Sequence, residues 1–236
     1  MLADSRERIF REISDDDVVL DVGGWASPLS RADWVIDLMP YETRGLYGEP
    51  DPDRERFTEN SWVVRDICDK EPWPFDRNQF DFVICSHTLE DVRDPIWVCA
   101  ELNRVAKAGY IEVPARAEEQ ARGVHGPWVG WSHHRWLVDV DDSEIQFVLK
   151  PHLIHGRPEF WINTDWAKSL PAAKRVSRMF WQDSFAYSEK IFLESEALHA
   201  YLRAEVERGG PPAQVSQEAN GRWPPGLLRR AIKRLG

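Results

Sequence analysis

Apolar and polar positions divide the first half of this chain into short buried runs separated by polar, turn-forming stretches. Residues 4–13 set Ile9, Phe10 and Ile13 against Arg6, Glu7, Arg8, Arg11 and Glu12, a spacing that predicts an amphipathic entry or lid helix. After the Asp15-Asp16-Asp17 turn, Val18-Val19-Leu20-Asp21-Val22 reads as a buried strand ended by Gly23 and Gly24. Comparable runs predict strands at 34–37, 62–66, 80–85 and 110–114. Between the last two, Pro95 suits a helix first turn, residues 96–105 have helical spacing, and Gly109 is expected to cap that helix. The stretch from Gly24 to Trp34 is near the minimum of about 10–12 residues for a parallel crossover, so any first crossover helix must be short or distorted. Residues 40–60, rich in Pro, Gly and charge, predict irregular structure with a short helix near 52–57. Further on, 144–149 and 159–162 read as two later strands and 187–208 as a helix.

Strands alternating with crossovers predict a doubly wound α/β sheet. In such sheets ligands bind in the crevice outside the carboxyl ends of the strands. Asp21, Asp37 and Asp66 close three of the predicted strands, and the glycines after Asp21 let the backbone approach a ligand closely. A nucleotide-type pocket is the expectation.

Composition narrows the partners. The 236 residues carry a formal charge of -10, which argues against binding a phosphate backbone. Cys68, Cys85 and Cys99 show no CxxC spacing, and two of them sit in apolar runs, so free thiols in a cytoplasmic protein are expected. No run approaches a membrane span. Residues 1–208 are expected to form one domain, with a cofactor half at 18–114 and a substrate-specific half at 115–208. A Pro/Gly-rich linker at 209–217 and a basic amphipathic helix at 226–236 follow. That helix would dock on the domain or, less favourably, touch an anionic membrane. Homo-oligomerisation is compatible with all of this.

The segments from Val18 to Pro114 together resemble the class I S-adenosylmethionine-dependent methyltransferases, in particular the type 11 branch. The most specific part is Asp66-Ile67-Cys68-Asp69, then Pro74-Phe75, then Phe80-Asp81-Phe82-Val83-Ile84-Cys85-Ser86-His87-Thr88-Leu89-Glu90-Asp91-Val92. Glu101-Leu102-Asn103-Arg104-Val105 and Gly109-Tyr110-Ile111-Glu112-Val113-Pro114 continue it. The resemblance implies a Rossmann-like seven-stranded sheet with helices on both faces and a small cap or insert, and S-adenosylmethionine as cofactor. It implies that Asp21, Gly23 and Gly24 lie along the methionine part and ribose, and that Asp37 grips the ribose hydroxyls. Asp66 and Ile67 would meet adenine, and Ser86 and His87 would face the reactive methyl. Trp25 departs from the pattern, because the family commonly has another glycine there; it would either narrow the pocket or swing out.

Methyl transfer to a hydroxyl needs a group to remove a proton, and histidine suits neutral pH. The candidates are His87 and the pair His133-His134, the latter after the fifth strand, where the family places much of its acceptor machinery. Alternatively His125, His133 and His134, with Glu112, Glu118 and Glu119, would hold a divalent cation such as magnesium, although the spacing matches no zinc signature and adjacent histidines tend to face opposite ways. Trp128, Trp131, Trp136, Trp161, Trp166 and Trp181, with Arg116, Arg135 and Asp165, would suit stacking on a sugar, and for most of these tryptophans a core role competes. The expected acceptor is therefore a small molecule, a saccharide first, by a loose likeness to sugar O-methyltransferases such as those of methylmannose polysaccharide. A lipid-linked or natural-product acceptor, and a non-catalytic cofactor-binding scaffold, are the alternatives.

Overall fold

The computed structural model describes residues 1–48 and 50–209. The basic segment at 226–236, and all but the first residue of the expected linker, lie outside the described residues.

The buried runs become strands, as their patterning predicts. β1 (Val19–Val22), β2 (Trp34–Asp37), β3 (Trp62–Val64), β4 (Phe82–Ser86) and β5 (Ala108–Pro114) are parallel and lie in the order β3-β2-β1-β4-β5. β1 sits at the centre and is buried along its whole length, which is why its sequence is apolar on both faces. The strand order reverses between β1 and β4, and this switch point opens a crevice at their carboxyl ends.

Helix α1 (Ala3–Glu12) covers one face of the sheet through Ile9, joined by Leu29, Phe57 and Trp62. Helix α2 (Pro95–Val105) covers the other with Val98, Cys99, Leu102 and Val105. The α2 start is written locally: Asp94 accepts from the Trp97 amide at 2.9 Å, and Pro95 occupies the first turn. Gly109 does not cap this helix. It lies inside β5, where its bare Cα packs on the Val83 carbonyl and the Trp181 ring with no room for a Cβ.

Several expectations are corrected. The β1–β2 connection, the eleven residues 23–33, contains no α-helix, only turns, because so short a stretch leaves little length for one. Residues 52–54 form a turn, not a helix; the short 3₁₀ turns in this region are Tyr41–Thr43 and Glu59–Ser61. Residues 159–162 are not a strand, since Pro158–Phe160 form a 3₁₀ turn. Its apolar side chains enter a local cluster with Leu202 instead of a sheet.

Beyond β5 come α3 (Arg116–Glu119), β6 (Trp136–Val140), β7 (Glu144–Leu149), α4 (Thr164–Ser169), α5 (Ala172–Arg175), β8 (Val176–Gln182), β9 (Ala186–Glu189) and α6 (Ser195–Arg208). β8 returns antiparallel to β5, giving a main sheet of six strands, not seven. β6, β7 and β9 form a separate three-stranded sheet. Trp136, Val138, Ile145 and Phe147 pack this small sheet onto the α2 side of the core. It is the expected cap, and β9 takes residues that sequence periodicity had assigned to the start of the last helix. All three cysteines are buried free thiols.

Candidate active site

At the switch point lies a cleft of about 990 Å³, the upper end of the size range for small-molecule sites. It is lined by the ten residues assigned from sequence to cofactor binding and catalysis: Asp21, Gly23, Gly24, Asp37, Asp66, Ile67, Ser86, His87, His133 and His134. They come from the ends of β1, β2 and β4, the segment after β3, and the loop before β6.

The first wall is the β1 turn and the strand-end acids. Gly23 has φ +72°, and a Cβ there would collide with the Thr88 side chain, so only glycine fits. Asp21 accepts from the Leu29 amide at 2.8 Å, which closes the turn back on the strand. Burial pushes the Asp21 carboxyl up to about 7, against that hydrogen bond. Asp37 accepts from the Trp25 amide at 3.0 Å and the Met39 amide at 2.8 Å, and burial raises its pKa as well. Asp66 accepts from the Cys68 amide at 2.9 Å and pairs with Arg93, whose hydrogen bond holds its pKa low.

Trp25, the departure from the glycine pattern, lines the cleft. Its indole Nε1 donates to the Thr43 carbonyl at 2.7 Å and to Thr43 Oγ1 at 3.0 Å, drawing the ring toward the 41–43 turn. The Trp25 carbonyl in turn accepts from the Gly45 amide at 2.9 Å.

His87 follows β4 in a left-handed conformation, φ +55°. Its Nε2 lies 3.0 Å from Glu112 Oε1, and its Nδ1 lies 3.5 Å from Glu90 Oε1, long for a hydrogen bond. Burial opposes a charge on the ring, but the Glu112 and Glu90 carboxylates outweigh it and raise the His87 pKa to about 9. Glu112 is correspondingly lowered to about 2: burial resists, and the His87 and Tyr110 hydrogen bonds prevail. The two carboxylates thus favour the protonated ring, which donates to Glu112.

The opposite wall is made by the loop preceding β6. The backbone amides of Arg135 and Trp136 donate to the Glu90 carbonyl at 2.7 and 3.2 Å, and Trp136 Nε1 donates to the Val92 carbonyl at 2.8 Å. This ties residues 133–136 to the loop after β4. His134 Nδ1 sits 2.7 Å from Glu119 Oε1, and Glu119 also accepts from Lys150 at 2.8 Å. Burial works against the Glu119 charge, yet His134 and Lys150 keep its pKa low.

The metal set anticipated from sequence is not assembled. Glu112 is engaged by His87, Glu118 by Arg175 at 2.9 Å, and His125 hydrogen-bonds Ser132 at 2.9 Å. Instead His133 and His134, adjacent in sequence, both turn toward Asp91, with ring centroids 4.6 Å apart. Asp91 belongs to the 80–92 stretch but has no role predictable from it; its only local signal is its position directly after Glu90, in the loop following β4. The sugar-stacking wall is likewise reduced. Trp136, Trp161 and Trp181 are buried in the core, Arg116 is buried on Asp139 and Gln120, and of the six tryptophans only Trp131 lines the cleft, with Arg135.

Residues 49–111, from before β3 to within β5, match the family model described as methyltransferase domain. The resemblance to class I S-adenosylmethionine-dependent methyltransferases is borne out in this segment. Several solved structures overlap the chain in part. A methyltransferase in complex with the Haloferax volcanii Trm112 methyltransferase activator is 19% identical, covering 59% of this chain and 69% of that one, with a TM-score of 0.38. A methyltransferase of Bacillus halodurans is 16% identical over 47% of this chain and 50% of that one, TM-score 0.34. A SAM-dependent methyltransferase from Aquifex aeolicus is 18% identical over 47% of this chain and 64% of that one, TM-score 0.30. The chain thus spans between half and about two thirds of the length of these neighbours. No curated protein matches the sequence.

Proposed function

We propose that this chain is an S-adenosylmethionine-dependent O-methyltransferase acting on a hydroxyl of a small acceptor. The observation that carries the reading is the junction of two unlike walls in one cleft. The glycine turn and the acids Asp21, Asp37 and Asp66 suit a ribonucleoside, and the His133-His134 wall suits a hydroxyl that must lose a proton. A carboxylate at the Asp37 position can accept from both ribose hydroxyls at once. Ile67 would meet the adenine ring, and Ser86 and His87 would lie along the path of the methyl group.

In the reaction the acceptor O–H bond breaks, its proton leaves toward the histidine wall and solvent, and the oxygen pair forms the new O–CH3 bond. The C–S bond breaks in the same step, its electron pair returns to sulfur, and the sulfonium becomes a neutral thioether. The chain's contribution is chiefly placement of the nucleophile in line with the methyl group. With a single tryptophan on the acceptor side, saccharides are the first class to screen among hydroxyl compounds. Among the described residues no helix is long and apolar enough to cross a membrane. The lipid-linked alternative rests on residues 226–236, outside the described residues.

The test is calorimetric titration with S-adenosylhomocysteine, followed by transfer of isotope-labelled methyl from S-adenosylmethionine to a panel of sugars and other alcohols. Micromolar binding and label on an acceptor oxygen are expected. Failure to bind at millimolar ligand overturns the reading, and binding without turnover on any acceptor favours the scaffold.

A further inference from the structure

Asp91, His133 and His134 each offer one ligand atom, and the three atoms lie within 4.8 Å of one another on the acceptor side of the cleft. Three further features set this cluster apart from chance proximity. Asp91 Oδ1 is sealed from solvent yet accepts no hydrogen bond, a costly state for a carboxylate oxygen. It faces His134 Nε2 at 3.8 Å and His133 Nε2 at 4.0 Å. His134 is held from behind, its Nδ1 on Glu119 Oε1 at 2.7 Å, with Glu119 itself fixed by Lys150 at 2.8 Å. A carboxylate behind one ring nitrogen places the proton there and presents the lone pair of the other, the arrangement that orients metal-binding imidazoles. Finally, the amides of Arg135 and Trp136 on the Glu90 carbonyl lock the two loops that carry the three side chains.

We propose that Asp91, His133 and His134 bind a divalent transition metal of the zinc or ferrous class, with open coordination positions facing the cleft. Two imidazoles and one carboxylate favour such ions over magnesium, which prefers oxygen ligands. Tetrahedral bonds of about 2.0–2.2 Å set ligand atoms roughly 3.3–3.6 Å apart, so Asp91 closes on each histidine, now 3.8 and 4.0 Å away, by less than about 1 Å, and no pair within the 4.8 Å cluster closes by more than about 1.5 Å. His133, half exposed, accommodates this by side-chain rotation. The role of the metal rests on the methyl-transfer reading, whereas its binding does not. An acceptor hydroxyl on an open position would release its proton to solvent more readily, and its oxygen would then form the O–CH3 bond as the C–S bond breaks toward sulfur.

The experiment titrates the chelator-treated full chain with Co2+ alone, followed by visible absorption and calorimetry, then displaces it with Zn2+. One Co2+ per chain is expected, displaced by Zn2+ and undisturbed by millimolar Mg2+. His133→Ala and Asp91→Asn should each weaken Co2+ binding at least about tenfold, and Glu119→Gln by about tenfold through the orientation of His134. His133 is exposed, so its truncation tests the site in a chain whose thermal unfolding stays unchanged. Absence of stoichiometric Co2+ or Zn2+ binding, or binding indifferent to both His133→Ala and Asp91→Asn, overturns the proposal, as does a site filled by Mg2+ in preference. S-adenosylhomocysteine titration of the same samples separates the two readings. Co2+ binding without nucleoside binding sustains the metal site and overturns methyl transfer, and the converse overturns the metal site alone.

Discussion

The two walls of the cleft solve the same problem, holding charge at a ligand, by different means. On the β1–β3 side the acids stand at or just after the ends of adjacent parallel strands and are held by backbone amides within a few residues: Leu29 for Asp21, Met39 for Asp37, Cys68 for Asp66. On the β6 side the histidines stand on irregular chain and are held by side chains from distant segments, Glu119 and Lys150 above all. The first wall is built by local sequence and sheet order. The second exists only once the three-stranded cap has packed, because Lys150 directly follows β7 and its amide bonds the Arg135 carbonyl at 2.8 Å. The cofactor wall should therefore resist damage to the acceptor wall.

The largest effect expected is at Lys150. Lys150→Met leaves Glu119, 1% exposed, short of a cation in a buried setting, and should cost about 3–5 kcal/mol of stability by chemical denaturation. Adding Glu119→Gln to that variant should restore part of the loss; no restoration would mean that Lys150 acts by packing alone. On the other wall, Asp37→Ala should weaken S-adenosylhomocysteine by about 100-fold, equivalent to about 2.7 kcal/mol, whereas His133→Ala should change it less than about threefold. Equal losses in the two variants would erase the distinction between the walls.

Gly23→Ala comes next, at about 2–3 kcal/mol, since alanine must hold φ +72° and displace Thr88. A melting temperature within error of the parent would show that the turn can rearrange. The last effect is pH-dependent. The folded Asp21 carboxyl, at about 7, lies above its unfolded value of 3.8, so the folded state holds the extra proton between those values. Its contribution to stability is complete below about pH 4 and is lost as pH rises toward 7. Asp21→Asn should then be near neutral at pH 4 and stabilising at pH 8, a pH-dependent gain read by thermal unfolding. A gain that is the same at both pH values would remove Asp21 from the list of strained groups.

How much of this was legible follows from particular residues. β1, β2, β4, β7 and α2 could be read from sequence because each carries its own pattern, an apolar run or a helical spacing opened by Pro95. β6 and β8 were missed. Tryptophan, aspartate and arginine interrupt their apolar patterns, and both are strands because a partner's ladder awaits them: β7 for one, β5 for the other. The 159–162 run misled in the opposite direction, since Phe160 and Trp161 are buried by α6 and its neighbours, without a strand partner.

The sequence by itself determined the parallel core, the crevice at its carboxyl ends and the acids that line one side of it. Those features depend on contacts within a few residues or between consecutive strands, and hydrophobic period and turn chemistry encode both. Only the tertiary structure decided that His87 meets Glu112, that His125 packs beside His133 on Ser132 and Trp131, and that His133 and His134 converge on Asp91. The first and the last of these depend on which carboxylate arrives from a segment tens of residues away. Such encounters are set by how the cap packs on the sheet, and no local pattern in the chain records them.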